Sequence, residues 1–203
     1  MKLYDGGRAP NPRRVRVFLA EKGIEVPLIP VDMGAMGHKS AEITVRNPLQ
    51  RLPVLELEDG TILTESIAIC RYFEALHPDP SLFGRSALEQ ARIEMWNRRM
   101  ELTFMAGVQA VFRHTHPAMK DWEIPQIPEW AEANRPRVLD FLALLDRELE
   151  NRAFIAGNAY SVADITGMIA VDFMKPAKIA LPEDLANVRR WHESVKARPS
   201  AGA

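Results

Sequence analysis

An Asp-Gly pair between two short apolar runs constrains the fold of this chain more than any other feature. Residues 53–57 and 61–63 flank Asp59-Gly60, a pair typical of tight turns in β-hairpins. A helical pattern follows directly, over residues 66–76, with its apolar positions on one face. The segment therefore predicts two antiparallel strands and a helix that packs on the sheet containing them.

The residues before this hairpin predict a β-α-β unit. A short strand is expected at residues 2–4 and a second at 26–31. Between them, Asn11 is expected as a helix N-cap with Pro12 at the first helical position, and Gly23 ends the helix. The first two strands must then be parallel, joined by a right-handed crossover. The prediction is an α/β domain with a mixed four-stranded sheet and helices packed on it.

A change of pattern at residues 77–84 predicts a domain boundary. Pro78 and Pro80 cannot continue a helix, so we expect a first domain over 1–79, a linker over about 77–84 and a second domain over 85–203. The second domain reads as all-α. Its first long helical segment, 86–116, carries two apolar stripes, one for its own bundle and one for a neighbouring domain or subunit. The stripes are Leu88, Ala91, Met95, Leu102 and Met105, and Ile93, Trp96, Met100 and Phe104.

Composition limits the classes of function. The 203 residues are 47% hydrophobic and 26% charged with a net charge of -1, so no basic excess indicates nucleic acid or an anionic membrane surface. No apolar run approaches the ~20 residues of a membrane span, and the first residues lack an apolar signal core. The single cysteine, Cys70, excludes an internal disulfide and a Cys-x-x-Cys pair, so we expect a cytoplasmic protein without a metal site.

Three stretches, in order and over nearly the whole chain, resemble the cytosolic glutathione transferase family. They are NPRRVRVFLAEKG, RLPVLELEDGTILTES and GNAYSVADI, and their wording is similar to a bacterial and fungal branch. The resemblance implies a thioredoxin-like first domain, a helical-bundle second domain and a homodimer. It also implies glutathione as co-substrate, a small hydrophobic electrophile as second substrate and a role in detoxification. In the third stretch, Ser161 and Asp164 form a capping-box pattern, and we expect Asp164 to be structural.

The resemblance assigns a glutathione site to the hairpin and the helix after it. Pro53 stands where the family places a cis proline, which frees the amide and carbonyl of Leu52 to pair with the backbone of a bound peptide. From the residues alone, an ordinary trans proline opening an edge strand is also open. Ser66 and Glu65, at a helix N-terminus, can bind the carboxylate and ammonium of the γ-glutamyl group. Alternatively, this pair only caps the helix.

The glycine carboxylate of glutathione requires a cation. His38 and Lys39 are the candidates, and Arg51 is a second choice. The alternative for each of them is an ordinary solvated charge on the surface.

Activation of the thiol is the point at which the chain departs from the family pattern. Most branches place Tyr, Ser or Cys near the first helix, whereas the window 4–12 contains no Ser or Cys and has Ala9 where a serine often stands. Tyr4 lies too early, inside the strand. The remaining candidates are Asn11 with the N-terminus of the first helix, and His114 or His116 acting as a base through a water molecule. Both histidines could instead cap the long helix.

The resemblance implies that the electrophile binds beside the sulfur, with the long helix and the loop after the first strand lining its pocket. Met105, Val108, Phe112 and Trp122 are the candidates, although all four residue types are also typical of a core. The predicted function is conjugation of the glutathione thiolate to an electrophile, with peroxide reduction as a side activity. The alternative is a non-catalytic glutathione-binding or scaffold protein. A glutaredoxin-type oxidoreductase needs a cysteine at the first helix, where there is none.

Overall fold

A computed structural model describes all 203 residues, which form two compact units. The first unit comprises Met1–Ser81 and Pro199–Ala203, and the second comprises Leu82–Arg198. The sequence analysis placed all of 85–203 in the second domain, and this is corrected for the last five residues. They pack on the first helix instead, where the Arg13 guanidinium donates to the carbonyl oxygen of Ala201 at 2.9 Å.

The first unit contains the predicted mixed four-stranded sheet. The strands are β1 (Lys2–Asp5), β2 (Leu28–Pro30), β3 (Val54–Glu56) and β4 (Ile62–Leu63), in the order β2-β1-β3-β4. β1 pairs with β2 in parallel and with β3 antiparallel, and β3 pairs with β4 antiparallel, as the sequence predicted. Leu3 and Leu55 lie opposite each other at the centre of the sheet and are fully buried.

Three helices accompany this sheet: α1 (Pro10–Glu21), α2 (Ala41–Arg46) and α3 (Ser66–Leu76). α1 begins one residue before Asn11, with Ala9 as its N-cap, so the prediction of Asn11 as the cap is wrong. Pro10 accounts for the difference, because proline has no amide that needs a partner and its fixed φ suits the first helical position. Gly23, with a φ of 64°, follows the end of α1 as predicted.

Lys22, at the end of α1, connects that helix by polar contacts to residues near the end of the first unit. Its side chain is fully buried, and its ammonium lies 2.6 Å from a carboxylate oxygen of Glu74. The same ammonium donates to the carbonyl oxygens of His77 at 2.6 Å and Pro80 at 2.8 Å. Three acceptors match its three protons, which is the condition for burying such a group.

The second unit is all-helical, as predicted. Its helices are α4 (Ala87–Arg99), α5 (Ala106–Thr115), α6 (Pro128–Glu148), α7 (Val162–Met174) and α8 (Ala186–Lys196). Pro136 lies inside α6, which starts eight residues earlier at a proline in its first turn. No helix of the protein is both long enough and apolar enough to span a membrane.

A π-helical segment, Met100–Met105, interrupts the single long helix predicted over 86–116. The wider turn of a π-helix changes which residues share a face. Leu102 therefore stays 58% exposed, whereas Met105, predicted in the same stripe, is buried. The other predicted stripe is the core-facing one, and its four members are all at most 9% exposed: Ile93, Trp96, Met100 and Phe104.

Candidate functional site

The Leu52–Pro53 peptide bond is cis in the structure. The Leu52 side chain packs in an apolar cluster with Tyr4, Ile43 and Val54, which anchors this residue to the sheet. Its backbone amide donates to no acceptor within the chain. A buried side chain and an unused amide at a strand entrance form the arrangement that can accept an added peptide strand.

The start of α3 combines an unusual backbone with free donors. Glu65, its N-cap residue, has a φ of 64° and a ψ of 116°, a conformation that a non-glycine residue adopts only at a cost. Its carboxylate is exposed to solvent. Ser66 begins the helix and is 5% exposed, and the first-turn amides have no partners inside the helix. Such strain is typical of ligand-binding positions.

A buried arginine, which the sequence analysis missed, lies against Ser66. Arg14 of α1 is fully buried, and its Nη1 donates to the Ser66 hydroxyl oxygen at 2.8 Å. Because that oxygen accepts from Arg14, the hydroxyl hydrogen remains available for another acceptor. The guanidinium charge and the positive end of the α3 dipole therefore favour an anion at the same point. The available signal was an arginine within the apolar face formed by Val15 and Phe18.

The predicted cation site divides into a buried and an exposed part. His38 lies in a short 3-10 turn, Gly37–Lys39, and is 2% exposed. Burial lowers the pKa of His38, and the nearby charges of Lys39 and Arg51 lower it further. Both effects favour the neutral form of the ring, so His38 is a weaker candidate for the cation than Lys39 or Arg51. Lys39 and Arg51 are exposed and provide the cations of this region.

Tyr4 is unavailable for thiol activation. Its hydroxyl donates to Glu56 Oε2 at 3.1 Å, and the Arg46 guanidinium lies over its ring at 4.8 Å from the centroid. Burial raises the pKa of Tyr4, which opposes formation of a phenolate. The phenol therefore belongs to the polar cluster around Glu56 on the sheet.

In the first turn of α1, a single residue has amide donors that no group of the chain uses. Pro10 and Pro12 have no amide hydrogens, and the Arg13 amide donates to the carbonyl oxygen of Ala9 at 3.2 Å. Ala9, where a serine often stands in the family, has no side-chain hydroxyl. Asn11 is left with both its backbone amide and its side-chain amide, which make no hydrogen bond in the chain. Any hydrogen bond from this turn to a sulfur must come from Asn11.

His114 is hydrogen-bonded at one ring nitrogen, and its other ring nitrogen lies near a carboxylate. Nδ1 accepts from the Ile127 amide at 3.0 Å, and Nε2 lies 3.9 Å from a carboxylate oxygen of Glu123. A separation of 3.9 Å is too long for a hydrogen bond, so the ring is held by the bond from the Ile127 amide to Nδ1. His116 is engaged similarly, with Nδ1 accepting from the Ala118 amide at 3.2 Å.

The predicted electrophile pocket is largely core. Met105 and Val108 are at most 2% exposed, so their side chains pack inside the helical unit. Phe112 is half-buried, with its ring centroid 4.6 Å from that of His116 and 4.9 Å from that of Phe173. Of the four predicted lining residues, Phe112 and Trp122 are half-buried and have surface to offer a ligand.

Comparison with protein families identifies the class of protein. The model described as "Glutathione S-transferase, N-terminal domain" matches residues 1–75, and "Glutathione S-transferase, C-terminal domain" matches residues 96–199. The two matches cover most of the chain and follow the order of its two units. The chain belongs to the glutathione S-transferase family.

Individual relatives agree with this assignment. "Glutathione S-transferase 2" of Saccharomyces cerevisiae is 35% identical, over 98% of this chain and 87% of its own length. The crystal structure of a glutathione S-transferase domain-containing protein from Marinobacter aquaeolei VT8 is 38% identical, with a TM-score of 0.94 over 98% of this chain and 99% of that one. The crystal structure of Gtt2 from S. cerevisiae is 35% identical, with a TM-score of 0.94 over 100% and 99%. The predicted fold class is confirmed.

Proposed function

We propose that this transferase conjugates the thiolate of glutathione to a small hydrophobic electrophile. The observation that carries the proposal is the buried Arg14–Ser66 pair at the N-terminus of α3, directly beside the exposed carboxylate of Glu65. An amino-acid headgroup has a carboxylate and an ammonium a few ångströms apart. Ser66 with the α3 amides suits the first group, and Glu65 suits the second. A scaffold protein would have no need for such a site.

Other residues of the first unit bind the rest of the tripeptide in this proposal. The unused amide of Leu52 pairs with the peptide backbone, next to Pro53. The glycine carboxylate is bound by Lys39 and Arg51, with His38 as a hydrogen-bonding neighbour. Binding at both ends fixes the cysteine between them, and holding the thiol in place is itself a large part of catalysis.

We further propose that Asn11 stabilises the thiolate, with His114 as the second candidate. A helix N-terminus and a donated hydrogen bond both favour a sulfur anion, and Asn11 has two unused donors there. The thiol proton leaves to solvent, and the thiolate forms a bond from sulfur to the electrophilic carbon of the second substrate. In a substitution, the leaving group departs from that carbon with its bonding electron pair; in an addition, the π-electron pair moves to the neighbouring atom, which takes a proton from solvent. Phe112 is the proposed apolar contact for that substrate. The protein acts in the cytoplasm as a homodimer.

The peptide site is tested by calorimetric titration with glutathione at neutral pH, in two buffers of different ionisation heat. We expect binding with proton release for the parent. Ser66→Ala should weaken binding by roughly 1–3 kcal/mol, because a charged partner loses its hydrogen bond. Ser66→Thr, which keeps a hydroxyl, is the matched control. No binding by the parent would favour the scaffold alternative, and equal binding by Ser66→Ala would remove the proposed headgroup site.

The thiol step is tested by comparing Asn11 and His114 variants. Asn11→Ala should lower turnover by about tenfold or more while glutathione affinity changes little, because the lost donor acts on the sulfur anion. His114→Asn keeps an acceptor for the Ile127 amide but cannot take a proton, so we expect near-parental turnover. Ultraviolet absorbance of the bound thiolate reports the ionisation directly. The opposite pattern, with only His114→Asn impaired, would make the histidine the activating group.

A further inference from the structure

We infer that Asn47 is a positioning residue for glutathione, because it controls the direction and strength of the Leu52 amide donor. The inference rests on the proposed function, in which that amide pairs with the backbone of the tripeptide. Asn47 follows the last residue of α2 and is 2% exposed. A buried amide side chain at this position needs partners, and the loop before Pro53 supplies them.

Every polar group of Asn47 is used within this loop. Nδ2 donates to the carbonyl oxygen of Arg51 at 2.9 Å, and Oδ1 accepts from the Leu49 amide at 3.1 Å. The main-chain carbonyl accepts from the Gln50 amide at 2.8 Å, and the main-chain amide donates to Ile43 at 2.7 Å. Asn47 therefore stabilises the conformation of this loop through hydrogen bonds from both its side chain and its main chain.

The bond to Arg51 also determines where the next amide points. The Arg51 carbonyl and the Leu52 N–H belong to one planar trans peptide group, in which they point in opposite directions. Holding the carbonyl toward Asn47 therefore directs the N–H away from it. The Leu52 side chain is anchored at the same time in the apolar cluster with Tyr4 and Val54. These two constraints leave the peptide plane little freedom to rotate.

The hydrogen bond to the Arg51 carbonyl also makes the Leu52 N–H a stronger donor. The two groups belong to one peptide unit, and hydrogen bonds in series polarise one another. An asparagine can do this while accepting from Leu49, because its side chain has both a donor and an acceptor. An aspartate at position 47 could still accept from Leu49. It could not donate to Arg51, and it would place a negative charge against that carbonyl oxygen.

Asn47→Asp therefore removes the donor to the Arg51 carbonyl while it keeps the acceptor for the Leu49 amide. Gln50→Ala is the matched control, because Gln50 Nε2 donates to Thr44 Oγ1 at 3.0 Å and so supports the same loop without contacting the Arg51 carbonyl. For each variant, glutathione affinity is measured by calorimetry, and KM and kcat are measured with chlorodinitrobenzene as the probe electrophile. Thermal unfolding is recorded alongside to compare loop damage.

We expect Asn47→Asp to raise Kd and KM for glutathione about tenfold, with kcat at saturating glutathione within about twofold of the parent. Gln50→Ala should leave Kd and KM for glutathione near their parental values, even if it lowers the Tm as much as Asn47→Asp does. Equal binding by Asn47→Asp and the parent would overturn the inference, as would equally weakened binding in Gln50→Ala, since loop rigidity alone would then explain the effect.

A measurement on the parent keeps the inference testable if Asn47→Asp does not fold. The Leu52 amide proton should shift downfield in an NMR titration with glutathione, because it gains an acceptor. A Leu52 resonance that does not respond while glutathione binds would overturn the inference alone. A parent that does not bind glutathione would overturn the proposed function and the inference with it.

Discussion

The hydroxyl of Ser66 connects the buried charge of Arg14 to the surface of the first unit. It accepts from the guanidinium at 2.8 Å and keeps its own hydrogen for a ligand. Arg14 is fully buried, so its guanidinium places a positive charge directly behind the Ser66 hydroxyl. The adjacent Glu65 has a strained backbone conformation, with a φ of 64°.

At the residue scale, Glu65→Gly should stabilise the free protein and weaken glutathione binding together. Glycine adopts a positive φ without steric strain, so we expect a gain of about 1 kcal/mol in the free energy of unfolding. That corresponds to a Tm increase of about 3 °C for a chain of this size. The lost carboxylate should lower affinity, as measured by calorimetry.

Glu65→Gln is the matched control for this prediction. It keeps the strained backbone and the side-chain shape but removes the negative charge. We expect an unchanged Tm and a reduced affinity for the ammonium-bearing ligand. A Tm that does not rise in Glu65→Gly would mean that the backbone at this position stores no strain.

Two helices begin with the same kind of capping box, and their surroundings differ. At α4, Glu89 accepts from the Ser86 amide at 3.0 Å and both residues are exposed. At α7, the Asp164 carboxylate is fully buried and accepts from the Ser161 amide at 3.0 Å. It also accepts from the Ile155 amide at 2.9 Å and from Trp191 Nε1 at 2.8 Å. Burial raises the pKa of Asp164 to about 6, and these donors oppose that shift.

At the element scale, the two caps should therefore contribute unequally to stability. Asp164→Ala leaves several buried donors without an acceptor, so we expect a loss of about 3–5 kcal/mol in the free energy of unfolding. Ser86→Ala removes an exposed cap and should cost about 1 kcal/mol. Urea titration of both variants measures the difference. Similar losses in the two would show that the tertiary contacts of Asp164 contribute little.

The second unit leaves one apolar stripe uncovered. Leu88, Met95 and Leu102 recur every seven residues and are 60%, 42% and 58% exposed. This spacing places Leu88 and Met95 along one line of α4, and Leu102 is exposed in the π-helical segment that follows. An exposed apolar line on a folded unit is typical of an interface, so it is the surface that we propose for the homodimer.

At the scale of the whole molecule, Met95→Lys should convert a dimer into a monomer. The new charge would be buried unpaired in the proposed interface, near Arg92 and Arg99 one turn away on either side. Sedimentation at micromolar protein concentration measures the change. Leu139→Lys, at a position 40% exposed on α6, is the matched control and should remain dimeric. A monomeric parent, or a dimeric Met95→Lys, would contradict the proposed interface.

The sequence by itself determined the order of the elements, the mixed sheet, the start of α3 at Ser66 and the capping box at Ser161. Each of these follows from residues a few positions apart, whose periodicity and capping chemistry act locally. The proposed peptide site around Leu52, Pro53, Glu65 and Ser66 came from the family resemblance, because the residues alone left a trans proline and a simple helix cap open. Its parts lie within one hairpin and the helix that follows it.

Only the tertiary structure decided which distant groups meet. Arg14 reaches Ser66 across 52 residues, and Trp191 reaches Asp164 across 27. It also decided that His38 is buried, that Met105 and Val108 are core, and that Nδ1 of His114 accepts a hydrogen bond from the Ile127 amide. Burial and long-range hydrogen bonding depend on how the elements pack, and no pattern of nearby residues specifies a partner that lies far away along the chain.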